Sequence, residues 1–129
     1  MVSYEFVRSS NQRITSTLPP GLVAVFVGAT NGVGETTVRQ FAKYAARPRV
    51  YIIGRSQEAG DRIVAECKAL NPEGSFMFMQ REVHLMRNVD AVCSEITEKE
   101  EAVNLLFLTV GTLQCGISKC NAEQSHHRL

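Results

Sequence analysis

Leu22-Val23-Ala24-Val25-Phe26-Val27-Gly28-Ala29-Thr30-Asn31-Gly32-Val33-Gly34 decides how this chain is read. Its first six residues are continuously apolar and β-prone, the pattern of a parallel strand buried on both faces. A glycine loop follows at once, and then a helical stripe, with Val38, Phe41, Ala42 and Ala45 at i, i+3, i+4 and i+7. Strand, glycine loop and helix in immediate succession make a phosphate-binding unit. Glycines let the backbone turn sharply and approach a diphosphate, whose charge sits at the positive helix N-terminus. Gly28 turns the chain out of the strand, Gly32 admits the phosphates, and Gly34, after Val33, lets the helix pack on the sheet. Thr30 and Asn31 support the loop or its ligand with side-chain hydrogen bonds. The competing P-loop needs a lysine before the threonine at the helix start; here Glu35 precedes Thr36, and a carboxylate repels a triphosphate.

Beyond Pro48, which ends that helix, Val50-Tyr51-Ile52-Ile53 forms a second strand closed by Gly54-Arg55-Ser56. Ser56 caps a helix that buries Ala59, Ile63, Cys67 and Leu70. Asn71-Pro72-Glu73-Gly74 is a turn, and a third strand runs from Phe76 to about Val83. Val89, Val92, Cys93 and Ile96 mark a third helix, and residues 103–110 a fourth strand ending at Gly111. Cys67 and Cys93 read as small buried hydrophobes within these stripes. The alternation implies βαβ units and a parallel sheet. Arg55 ends the second strand, where a dinucleotide fold meets the adenosine ribose. An acidic residue there bonds the 2′-hydroxyl, whereas arginine suits a 2′-phosphate, so Arg55 with Ser56 favours NADP over NAD.

Working outward again, residues 1–20 are polar and aperiodic and close on Pro19-Pro20-Gly21, as expected of a surface arm. The folded unit is expected over residues 21–113, and residues 114–129 read as an irregular tail without period. Cys115, Cys120, His126 and His127 in that tail are too loosely spaced for a zinc site, and no metal is expected. Glu98, Glu100 and Glu101, with Lys99, read as the solvated end of the third helix, and His84 as a solvated or hydrogen-bonded loop residue. The 14 Lys and Arg against 13 Asp and Glu leave a net charge of +1, which argues against nucleic acid as a partner. No run approaches the ~18 apolar residues of a membrane span, and the N-terminus lacks a secretory apolar segment. The expected compartment is the cytosol.

The spacing Gly-x-x-x-Gly-x-Gly at Gly28, Gly32 and Gly34, with the runs GLVAVFVGATNGVGETTVRQFAK, YIIGRS and NLLFLTVG, resembles the short-chain dehydrogenase/reductase family, in particular fungal members of secondary-metabolite clusters. The resemblance covers residues 1–113, roughly the first half of a family domain. It implies an α/β Rossmann-type sheet of order 3-2-1-4 with helices on both faces and an incomplete second half. It also implies NADP-dependent oxidoreduction of a ketone or secondary alcohol. By the same likeness Glu82 stands where an aspartate contacts adenine. Gly111 matches the glycine of an Asn-Asn-Ala-Gly segment whose other positions are here Leu108, Thr109 and Val110. Family catalysis uses a serine and a Tyr-x-x-x-Lys pair. Tyr4, Tyr44 and Tyr51 are followed at the fourth position by Arg8, Pro48 and Arg55, and Ser118 and Lys119 lie in the tail, so no catalytic residue is assigned. The expectation is a reading frame cut short after the fourth strand, whose open edge is free to pair with a second copy or a relative. The alternatives are an inactive NADP-binding or partner-binding pseudoenzyme and a decayed fragment. The small-molecule substrate is not legible.

Overall fold

The computed structural model describes residues 1–110. The elements are α1 (Tyr4–Gln12), α2 (Ile14–Thr17), β1 (Val23–Val27), α3 (Gly32–Tyr44), β2 (Arg49–Gly54), α4 (Gln57–Leu70), β3 (Ser75–Gln80), α5 (Met86–Lys99) and β4 (Leu105–Leu108). The strands form one parallel sheet in the order β3-β2-β1-β4, as the alternation and the family likeness anticipate. In register, Val25 lies between Tyr51 on one side and Leu106 on the other.

Period-two alternation in the central strands sorts side chains into two cores. Ala24, Phe26, Val50 and Ile52 face Val38 and Ala42 of α3 and Ile63 and Cys67 of α4. Val25, Val27, Tyr51 and Ile53 face the other way, toward Val92 and Ile96 of α5. β1 is buried along its whole length because helices cover both of its faces. Each large apolar side chain fully buried in this way contributes about 1.5–3 kcal/mol. Burial pushes the Cys67 thiol up to about 11, so it stays protonated in the core.

Five expectations are corrected. Cys93 is exposed, unlike Cys67, because its side of α5 faces an open groove rather than the sheet. Leu70 is exposed as well, at the last residue of α4, where the helix has run past the strands. Glu100 is not solvated with its neighbours: its Oε1 accepts from Arg49 Nε and from Tyr51 Oη, each at 2.6 Å, and ties the end of α5 to β2. The arm over residues 1–20 contains α1, which the aperiodic sequence did not announce; Ser3 caps it by accepting from Phe6 N at 3.2 Å. No residue of α1 is buried. β3 stops at Gln80, short of Val83, because the chain turns away after Arg81 N donates to Gly54 O.

Candidate functional site

Four parallel strands deliver the residues that follow them to one edge of the sheet. Gly28 leaves β1, Arg55 leaves β2, Arg81 and Glu82 leave β3, and Thr109 leaves β4. Backbone pairing continues one step past the strands: Gly28 N donates to Ile53 O at 3.0 Å, Thr109 N to Val27 O at 2.9 Å and Arg81 N to Gly54 O at 2.9 Å. The candidate site is therefore framed by backbone before any side chain contributes.

Within the loop the three glycines do different work. Gly28 has φ +84°, and a Cβ on it would lie 2.9 Å from Thr109 O. Gly34 is buried, and a Cβ there would meet Thr109 Oγ1 at 2.7 Å and Ala29 Cα at 2.9 Å. Gly32 has φ +57° and nothing within 4 Å of the Cβ position, so it faces open space at the first turn of α3. Asn31 is the N-cap residue in extended conformation, and its side chain makes no capping hydrogen bond. Its carbonyl accepts from Glu35 N at 3.3 Å, so the amides of Gly32, Val33 and Gly34 come before the first intrahelical bond. Val33 is exposed beside them. Thr30 turns its methyl toward Gly54, where an added Cβ would stand 2.7 Å from Cγ2; it buttresses the loop by packing.

A diphosphate needs free amides at a helix start and backbone bare of side chains, and this loop offers both. Glu35, in that first turn, is drawn away: its Oε1 accepts from Arg39 Nη2 at 2.6 Å and Arg62 Nη1 at 2.7 Å, and Glu66 closes the ring of charges between α3 and α4. Arg55 is exposed, and among the described residues its guanidinium has no partner; only its carbonyl is engaged, by Gln80 Nε2 at 3.1 Å. Ser56 caps α4, its Oγ accepting from Ala59 N at 3.2 Å. Glu82 is exposed in the loop after β3, its carboxylate 3.8 Å from His84 Nε2. The strand ends thus bring Gly28, Thr30, Asn31, Gly32, Val33, Gly34, Arg55, Ser56 and Glu82 to one side of the sheet. Gly111 lies outside the described residues, as do Cys115, Cys120, His126 and His127.

Thr109 is the site residue that sequence reasoning passed over, registering it only as a departure from an asparagine. Its hydroxyl donates toward Gly28 O at 3.2 Å and Val27 O at 3.3 Å. A small hydroxyl residue directly after a buried-type strand was the available signal. Tyr51, by contrast, is tied to Glu100 at the opposite edge, ahead of β4. Burial pushes its phenol up, and the bond to Glu100 adds to the shift.

Residues 22–128 match the family model described as short chain dehydrogenase. An oxidoreductase of Emericella nidulans is 41% identical over 116 residues, covering 90% of this chain and 34% of its own length. Oxidoreductase andH of Emericella variicolor is 36% identical over 112 residues, covering 87% of this chain and 33% of its own. The chain thus spans about a third of the length of these curated relatives. Among solved structures, L-sorbose reductase from Gluconobacter frateurii, complexed with NADPH and L-sorbose, superposes with a TM-score of 0.65 at 22% identity. That match covers 72% of this chain and 34% of the reductase.

Proposed function

This chain belongs to the short-chain dehydrogenase family, and from that premise we propose that it is the NADP(H)-binding part of an oxidoreductase acting on a ketone or secondary alcohol. The observation that carries the reading is one sheet edge on which an open Gly32 at the start of α3 and an exposed Arg55 after β2, its guanidinium without a partner among the described residues, occur together. Support comes from the fungal oxidoreductases it is similar to and from the NADPH held by the reductase that shares its fold. A place in fungal secondary metabolism is proposed with it, on the likeness of the glycine-loop and strand sequences to fungal family members. The proposed compartment is the cytosol; among the described residues no helix is long and apolar enough to cross a membrane.

In this reading the amides of Gly32, Val33 and Gly34 bind the diphosphate, and the Arg55 guanidinium takes the 2′-phosphate with Ser56 beside it. Asn31 lines the same opening. Glu82 is the acceptor for adenine. When bound, the nicotinamide supplies or accepts a hydride. Within these 129 residues no tyrosine is followed four positions later by lysine, and the role proposed for this chain's own residues is cofactor binding.

Titration with NADPH and NADH, followed by nicotinamide fluorescence, tests it. Arg55→Ala is expected to weaken NADPH about tenfold or more, the size of a charge-assisted contact, while leaving NADH unchanged. An unmodified chain that shows no saturable NADPH binding, or an Arg55→Ala chain that binds it undiminished, overturns the reading.

A further inference from the structure

We propose that Thr109 is the positioning residue of the dinucleotide loop: its hydroxyl, together with the glycines, holds the backbone path from Gly28 to Gly34. Thr109 is wedged between the first and last glycines. Its carbonyl oxygen lies 2.9 Å from the place a Cβ would take on Gly28, and its Oγ1 lies 2.7 Å from that place on Gly34. A Cβ on either glycine would collide with Thr109, and on Gly34 it would also meet Ala29 Cα at 2.9 Å. The hydroxyl proton is shared between Val27 O at 3.3 Å and Gly28 O at 3.2 Å. Val27 O also accepts from Thr109 N. Gly28 is where β1 ends with positive φ, so the hydroxyl anchors the carbonyl at the point where the chain leaves the sheet. Without that donor Gly28 O loses a hydrogen bond, and the loop loses its side-chain tie to the residue after β4.

The consequence for cofactor rests on the NADP(H) reading; the consequence for the loop does not, and the experiment keeps them apart. Thr109→Val keeps the shape and removes the proton, Thr109→Ser keeps the proton and removes the methyl, and Thr109→Ala removes the hydroxyl with no added bulk beside Gly34. In the absence of cofactor, amide hydrogen exchange is followed at Gly28 and Glu35, whose bonded N–H groups flank the loop, with Val25 and Ile52 as controls. Thr109→Val and Thr109→Ala are expected to speed exchange at Gly28 and Glu35 about tenfold and leave the controls unchanged, with Thr109→Ser within about threefold of the original. NADPH affinity is expected to follow the same order, about tenfold weaker without the hydroxyl. Unchanged exchange at Gly28 and Glu35, or an equal rise at Val25 and Ile52, refutes the positioning role, the latter because it reports general loss of stability. An original chain that does not bind NADPH refutes the cofactor reading alone, and the exchange result still decides Thr109.

Discussion

Gly32 and Gly34 stand two positions apart and are glycines for different physical reasons. Gly32 has φ +57° with empty space before it, so alanine there meets strain of roughly 1–2 kcal/mol and no clash. Gly34 meets backbone, Ala29 Cα at 2.9 Å and Gly28 O at 3.1 Å, which cannot swing aside as a flexible side chain can. Gly34→Ala is therefore expected to lower the melting temperature more than Gly32→Ala, through an overpacking cost of about 1–3 kcal/mol added to a displaced loop. Gly32→Ala is expected to melt closer to the original but lose NADPH affinity, since its methyl projects into the opening. A Gly34→Ala chain that melts unchanged contradicts this account. The glycine spacing was legible in the sequence because a positive φ and a close approach both demand the same residue. Which glycine faces open space and which faces Thr109 was not, because Thr109 is distant in the chain and only strand pairing brings it there.

Between elements, the helical stripes were legible wherever a sheet face lay under them. Val38 and Ala42, Ile63 and Cys67, and Val92 and Ile96 are buried at the positions their period assigns. Polar ties between elements carry no period and were missed. Glu100 is the clearest case: it reads as one more acid at a helix end, yet Arg49 and Tyr51 both donate to it. Partial desolvation pushes its carboxyl up, but the bonds from Tyr51 and Arg49 and the guanidinium charge outweigh it, and its pKa falls below the ordinary carboxylate value. A carboxyl whose pKa is lower folded than unfolded stabilises fully above the unfolded value and loses that contribution as pH falls through the folded one. Glu100→Gln is accordingly expected to cost about 1 kcal/mol at pH 7 and to flatten the loss of stability as pH falls through and below the ordinary carboxylate range. Urea midpoints across that range measure it; parallel curves for the two proteins would show that Glu100 contributes nothing to the acid limb.

At the scale of the sheet, the same parallel order that gathers the strand ends to one edge leaves β4, among the described residues, paired on one side only. Leu106 and Leu108 are 59% and 64% exposed and, with Val110 and Cys93, line a groove open between β4 and α5. α5 lies over β1 and β2, and among the described residues nothing covers β4 on that face. Contiguous apolar surface of this kind binds hydrophobic dyes. Anilinonaphthalene sulfonate fluorescence is expected to be high and to fall when Leu106→Lys and Leu108→Lys are combined, with melting within a few degrees of the original because both side chains are already in solvent. Undiminished fluorescence in the double variant would place the dye elsewhere.

The sequence by itself determined the alternation of strands and helices, the loop that joins β1 to α3 and the cation after β2, since period, glycine conformation and charge are properties of neighbouring residues. Tertiary structure alone decided that the Thr109 hydroxyl meets the carbonyl of Gly28, that Glu100 turns inward, that Cys93 faces outward and that, among the described residues, Arg55 stands without a partner while Arg39 and Arg62 are paired. Each of those depends on which distant segments the sheet order places side by side, and a one-dimensional pattern does not encode distances between strands.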